Sequence, residues 1–247
     1  GGGELENGMT VAVSFELDQA VADGDGPFDS HSVTVSSDAM GSLTFAGHGG
    51  DSAQSQVKDM TGKIWDYQGT TTDPSTGSAR NNMMSYNNSS LMDGLSITAS
   101  YVPHNATQLE STVDYAVAYS GVEGLVVGYA DGESSKGAVA THADVKTMYA
   151  NYTMGPVKVA YHQNEYDSAT DASDQDFTAY SVSYTVSENL SVLYAVAETV
   201  TPLVSTDVDQ EVTGVSVAYT AGGMGITVTS GSIDNAGYSS ATTADEE

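Results

Sequence analysis

The sequence lacks cysteine and has few basic residues. No Cys occurs among its 247 residues, which excludes disulfides, thiolate metal ligands and Cys nucleophiles. Six Lys and Arg stand against 33 Asp and Glu, so the formal net charge is −27. Binding to nucleic acid needs cations that displace phosphate counterions, and docking on anionic lipid needs a basic patch. The composition therefore argues against nucleic-acid partners and against a basic membrane-surface protein.

A long hydrophobic run is also missing. No stretch approaches the ~18 consecutive apolar residues of a transmembrane helix. Only helices and closed sheets cross the hydrocarbon core, so a membrane-spanning form of this chain would be a β-barrel. The first residues, Gly1 to Glu4, do not have the basic and apolar regions of a signal peptide. We expect that such a leader was removed, or that the chain is part of a longer precursor.

What the sequence does contain is a repeated alternation of apolar and small polar residues, whereas helical spacing is nearly absent. The first example places Met9, Val11, Val13, Phe15 and Leu17 on one face of a strand. The same alternation predicts thirteen strands, near residues 9–17, 33–35, 43–45, 83–88, 95–101, 113–119, 125–129, 148–152, 157–161, 180–186, 190–196, 215–219 and 224–228. This strong periodicity argues against intrinsic disorder.

The connections between the predicted strands alternate in length. Short turns such as 120–124 and 153–156 alternate with long acidic segments such as 166–176 and 199–210. Short turns at one end, long loops at the other and Tyr at strand ends are typical of a transmembrane barrel. The sequence therefore predicts an all-β, antiparallel up-and-down transmembrane β-barrel. The alternative is a soluble β-sandwich, a secreted or surface adhesin or layer protein with acidic Ca²⁺-binding loops, although a sandwich gives no reason for the strict alternation.

The sequence resembles the general porins of Gram-negative outer membranes, most closely the acidic α-proteobacterial type. The resemblance is carried by ELENGM at 4–9, by VTVSSDAMGSLTF at 33–45, by the paired strands of 148–161 and by the strand at 215–219. These pieces occur in the family's order over essentially the whole chain. The resemblance implies a passive outer-membrane channel for small hydrophilic solutes and ions, not an enzyme. It also implies a homotrimer in contact with outer-membrane lipid and lipopolysaccharide.

The position of the long polar segment suggests how the chain aligns with this family. In these porins the loop that folds into the pore follows the fifth of sixteen strands, whereas here it follows the third predicted strand. We therefore expect one porin domain over residues 1–247, with thirteen of sixteen strands visible and terminal strands missing at both ends.

The resemblance implies that the acidic segment 48–80 constricts the pore. Its charged residues are the predicted constriction: Asp51, Lys58, Asp59, Lys63, Asp66, Asp73 and Arg80. Glu16, Asp114 and Lys158 are predicted on the lumen wall, Lys158 because it alternates with outward-facing Val157 and Val159. Six cations are too few for the family's usual basic cluster, which predicts a cation-selective pore. The alternative is that segment 48–80 is an ordinary solvated surface loop.

Motifs of enzymes and metal sites are missing. The five histidines have no metal-ligand spacing, and neither a G-x-S-x-G elbow nor a phosphate loop occurs. Acidic loops such as 167–176 could bind Ca²⁺ through oxygen ligands, but they lack EF-hand spacing. We expect no cofactor, with weak Ca²⁺ binding at acidic loops as the one exception.

Overall fold

The computed structural model describes residues 1–17, 28–57, 61–62, 64, 81–104, 110–134, 143–168, 174–201 and 208–238. Within these residues the chain forms fourteen strands and two short 3₁₀ turns, Ala53–Gln56 and Ala236–Tyr238. No helix in the described part is long and apolar enough to cross a membrane. The strands are β1 Gly2–Glu4, β2 Thr10–Leu17, β3 Phe28–Ser37, β4 Gly41–His48, β5 Met83–Asn88, β6 Leu95–Val102, β7 Thr112–Val122, β8 Leu125–Glu133, β9 Ala143–Met154, β10 Val157–Ser168, β11 Gln175–Ser187, β12 Leu190–Thr201, β13 Val208–Ala221 and β14 Met224–Asp234.

Each strand hydrogen-bonds to the next strand in sequence, so the sheet order is β1 to β14 without a crossover. All thirteen predicted strands are confirmed, and so are the six short turns between them. The structure adds β1, which pairs antiparallel with β2 through Gly2 opposite Ala12 and Glu4 opposite Thr10. The sequence analysis missed β1 because a Gly-Gly-Glu segment has almost no side chains whose alternation could mark a strand.

The chain divides into two compact units. Unit 1 contains residues 1–57, 76–121 and 129–145, and unit 2 contains residues 58–75, 122–128 and 146–247. The expectation of a single domain over the whole chain stays a prediction.

In both units one face of the sheet is apolar and exposed. In unit 2, Val182 and Tyr184 are each 49% exposed, and in unit 1 Phe15 is 56% exposed. A soluble sandwich would bury these side chains against a second sheet, so the exposure excludes that alternative. We call this surface the apolar face; its exposed members include Val13, Val33, Phe45, Val113, Tyr115 and Val117 in unit 1 and Val159, Tyr161, Tyr180, Val215, Val217, Tyr219, Ile226 and Val228 in unit 2.

The opposite face of the sheet, here called the polar face, carries small polar side chains, many of them buried. Thr34 and Thr44 share a hydrogen bond of 2.9 Å between their hydroxyls, and Asn87 donates from Nδ2 to Thr98 Oγ1 at 2.8 Å. These pairs satisfy polar atoms that water does not reach freely. The buried polar residues include Thr98, Ser100, Thr112 and Asp114 in unit 1 and Thr147, Asn151, Asn164, Ser181, Thr199 and Ser216 in unit 2.

The apolar face is close in height to the apolar band of an outer-membrane barrel. On β7 it runs from Val113 to Tyr119, seven residues that span about 20 Å, against about 25 Å for the apolar band of such barrels. In unit 2 the apolar face ends at a row of acidic residues. Glu198, Glu211 and Asp234 are register partners on three neighbouring strands, and they lie on the same side of the sheet as the apolar face. Such a charged row belongs in water or headgroups rather than in hydrocarbon.

A charge placed on the apolar face should destabilise the protein in a bilayer. We predict that Val228→Arg lowers the free energy of unfolding by about 2–4 kcal/mol if its depth is near the membrane centre. Urea titration in lipid vesicles measures this value. Thr227→Arg is the matched control, since Thr227 is also exposed but lies on the polar face. Equal losses in the two variants would contradict the assignment of the faces.

Candidate functional site

The segment between β4 and β5 is the predicted constriction, and the structure describes its residues 49–57, 61, 62, 64, 81 and 82. Most of the predicted charges of this segment lie outside the described residues, namely Lys58, Asp59, Lys63, Asp66, Asp73 and Arg80. The roles of these six residues stay predictions.

The first half of the segment is hydrogen-bonded to the polar face in unit 1. Ser52 begins the 3₁₀ turn Ala53–Gln56, and its Oγ accepts from the Ser55 backbone N–H at 3.3 Å. The Ala53 N–H donates to Ser100 Oγ on β6 at 2.9 Å, and Gln54 Nε2 donates to the Val145 carbonyl on β9 at 2.7 Å. Ala53 and Gln54 are fully buried. This half is therefore packed on the sheet and is not a solvated surface loop.

Asp114 lies beneath this attachment on β7 and is fully buried. Its carboxylate accepts from the Glu133 backbone N–H at 2.9 Å and from Ser100 Oγ at 3.2 Å. Ser100 thus links Asp114 to Ala53. A Cβ on Gly132 would collide with the Asp114 carboxylate, so the missing side chain there makes room for it. Asp114 was predicted on the lumen wall. In the structure it is a buried hydrogen-bond acceptor, next to the point where the segment attaches to Ser100.

The second half of the segment packs against the polar face in unit 2. Thr61 and Ile64 are fully buried. Ile64 joins a hydrophobic cluster whose other members come from four neighbouring strands, namely Phe177, Ala179, Ala195, Ala197, Val212 and Ile233. This cluster is an apolar patch on a face that is otherwise polar. The sequence analysis missed it, although apolar residues at polar-face positions of β12, β13 and β14 were a signal that could have found it.

The remaining predicted site residues, Glu16 of the wall and Asp51 of the constriction, do not lie at the attachment of the segment. Glu16 is exposed at the end of β2 and accepts from Ser30 Oγ at 3.4 Å. Asp51 is exposed and lines a cavity of about 340 Å³ on the polar face of unit 1. The cavity is lined by Ser, Thr, Asn, Gln, His, Ala and Gly besides Asp51, and by no Lys or Arg.

Lys158 lies on the polar face of unit 2, as its alternation predicted, and pairs with Ser183. It is one residue from the short-turn end of β10. Its partner Ser183 pairs in turn with Leu193 on β12, which lies against Gly62 of the segment. Lys158 is therefore level with this contact and about 10 Å from Leu193, two strands away. Its role on the lumen wall stays a prediction.

No group of three or more His, Cys, Asp or Glu side chains in the described part could hold a metal ion. The acidic loops named for Ca²⁺ lie partly outside that part. Calcium binding there stays a prediction.

An apolar outer surface, a polar opposite face and a segment fastened to that polar face define a membrane-spanning β-barrel. The family model of the Gram-negative porins matches residues 1–239, and the chain belongs to that family. The family places it in the bacterial outer membrane and points to a channel protein. No curated protein matches the chain in a sequence search.

Solved porin structures share the fold. OmpF of Salmonella typhi, solved with daunomycin, is 16% identical, with a TM-score of 0.61 over 94% of this chain and 80% of that one. The anion-selective porin of Comamonas acidovorans is 16% identical, with a TM-score of 0.64 over 94% and 75%. The trimer form of Vibrio cholerae OmpT is 17% identical, with a TM-score of 0.56 over 94% and 79%. The predicted antiparallel up-and-down barrel is thereby confirmed.

The Asp114 network yields a stability prediction. Asp114→Ala leaves the Glu133 N–H and the Ser100 hydroxyl without their acceptor in a buried place, which costs about 1–3 kcal/mol of unfolding free energy. Asp114→Asn retains an acceptor oxygen and should lose clearly less. Unfolding in lipid vesicles measures both variants. A loss in Asp114→Asn as large as that in Asp114→Ala would show that charge, rather than hydrogen bonding, holds the network.

Proposed function

We propose that the chain forms a water-filled channel for passive diffusion of small hydrophilic solutes and ions, with a preference for cations. Its family supports the channel. The observation that carries the proposal further is the course of the segment after β4, which is fastened to the polar face at Ala53, Gln54 and Ile64. A segment held on the face that lines the lumen narrows the path and brings its charges, predicted at Asp59, Asp66 and Asp73, beside the permeating solute.

The cation preference rests on the charge balance. The chain has a net charge of −27, and the described residues of β2 to β6 carry no Lys or Arg on the polar face. Lys158 is the one Lys or Arg on the polar face of the described residues, while Glu16 and Asp51 are exposed. The anion-selective porin of Comamonas acidovorans has the same fold. The sign of the selectivity therefore depends on the charges and not on the fold.

Conductance of the purified native protein in a planar bilayer tests this proposal. Under a KCl gradient we expect stepwise ohmic openings with a reversal potential on the cation side. The preference should weaken as salt rises, because the screening length falls from about 10 Å at 0.1 M to about 3 Å at 1 M.

Ser14→Arg supplies a matched variant for the same measurement, since Ser14 is exposed on the polar face beside the Asp51 cavity. The added cation should move the reversal potential toward the anion side, and the neutral control Ser14→Asn should not move it. Native protein without openings would overturn the channel, and a native reversal potential on the anion side would overturn the charge assignment.

We further propose that the chain assembles as a homotrimer and that its apolar face contacts outer-membrane lipid and lipopolysaccharide. The wide exposed apolar face supports the lipid contact. The trimer form of the similar Vibrio cholerae OmpT supports self-association. Analytical ultracentrifugation of the protein in detergent should give the mass of three chains. A single-chain mass in mild detergent would contradict the trimer.

A further inference from the structure

We propose that Ile64 and the apolar patch around Gly214 form a latch that sets the width of the channel. The docked Ile64 holds the segment on the polar face of unit 2, and release of Ile64 widens the path. This inference rests on the proposed channel function. We call the receiving surface the Ile64 patch; it consists of Phe177, Ala179, Leu193, Ala195, Ala197, Val212, Gly214 and Ile233.

Ile64 fits the patch as a buried core residue fits its neighbours. Its side chain is 0% exposed, and the patch residues Phe177, Ala195 and Val212 are at most 2% exposed. Such burial removes the whole side chain from water. Most other large apolar side chains of the described residues lie on the exposed apolar face, so an isoleucine buried on the polar face indicates a specific contact.

Gly214 provides the space for Ile64. A Cβ at this position would lie 2.6 Å from Ile64 Cγ1 and 2.7 Å from Cδ1, closer than real Cβ contacts. Gly214 pairs with Ala195 on one side and with Gly231 on the other. The floor of the patch thus has nothing larger than a methyl group. The rims, formed by Phe177 and Ile233, are large.

Gly62 brings the chain close to the same wall just before Ile64. Its φ of +94° is a conformation that side chains rarely adopt, and a Cβ there would lie 2.6 Å from Leu193 Cδ2. Glycine is thus required on both sides of this contact, at Gly62 in the segment and at Gly214 in the sheet. The two glycines set how closely the segment lies on the wall.

The two fastenings of the segment differ in kind. Ala53 and Gln54 are held by directional hydrogen bonds, whereas Ile64 is held by apolar contact. An apolar contact adds no charge of its own to the path. Its loss moves the segment, whose charges the proposal places beside the solute, so the width of the path and the cation preference should both respond to it.

The test is conductance and polymer exclusion of the full chain in planar bilayers. Gly214→Ala should displace Ile64, raise the single-channel conductance and admit larger polyethylene glycols, and the reversal potential should move toward zero because the segment's charges move away from the solute. Ile64→Ala should do the same. Gly225→Ala is the matched control, because Gly225 lies on the neighbouring strand β14 and a Cβ there meets nothing within 4 Å.

Coupling between the two sites separates a latch from general damage to the barrel. In the Ile64→Ala background, Gly214→Ala should have no further effect on conductance, since the atoms it displaces are gone. Additive effects of the two substitutions would overturn the direct contact.

A thiol probe reports the latch independently of conductance. The chain has no Cys, so Thr61→Cys places a single thiol at a fully buried position of the segment. Adding Ile64→Ala should raise its labelling by a membrane-impermeant reagent about thirtyfold, from the cost of truncating a buried Ile. If labelling rises but the native protein does not conduct, the channel function fails and the latch contact stands. If the native protein conducts and neither labelling nor conductance changes in the variants, the latch is wrong.

Discussion

The structure depends on one constraint, the two-residue period of a strand whose faces meet different surroundings. Because each strand pairs with the next one in sequence, the inner strands β2 to β13 have hydrogen-bonded neighbours on both sides. The alternation then puts valine and tyrosine on the outer side, where Val182 and Tyr184 are half exposed, and leaves serine, threonine and asparagine on the other. The polarity is inverted relative to a soluble protein, and the apolar cluster around Ile64 is a local feature of unit 2. Elsewhere in the described sheet, hydrogen bonds between strands and between small polar side chains contribute to its stability, as between Thr34 and Thr44.

This inversion explains why the segment after β4 is fastened in two ways. Where it meets hydroxyl-bearing strands, it is held by hydrogen bonds, and Ser100 mediates between the Ala53 N–H and the buried Asp114 carboxylate. Where it meets β11 to β14, the polar face changes to alanine, valine and phenylalanine, and Ile64 supplies a matching apolar group. A lone apolar patch facing a water-filled space would cost free energy, and the docked segment removes that cost. The patch and the segment therefore require each other.

The sequence predicted the strands and their faces well because the period-two signal is local. Val113, Tyr115 and Val117 alternate with smaller residues whatever the rest of the chain does, and all three are exposed on the apolar face. Contacts between distant positions were not predictable in this way. The burial of Asp114 depends on Ser100, Gly132 and Ala53, which come from three separate parts of the chain. The Ile64 patch was missed for a related reason, since Ala195 and Ala197 are small enough for a polar face and become an apolar site only when Ile64 arrives. Strand β1 was not predicted because its glycines have no side chains whose alternation could indicate a strand.

The selectivity proposed for this channel depends on its charges rather than on its fold, since the anion-selective porin of Comamonas acidovorans shares the fold at 16% identity. In this chain the described polar face is mostly neutral. Lys158 lies near the short-turn end of β10, in register with Leu193 two strands away, and Asp114 is enclosed by its hydrogen-bond partners. Hydroxyl and amide groups hydrate a passing ion without preferring its sign strongly. The field along the path then depends on a small number of exposed carboxylates and on the charges of the segment. Because the neutral wall supplies little opposing field, each of those charges contributes more to the net electric field than it would beside a dense basic cluster.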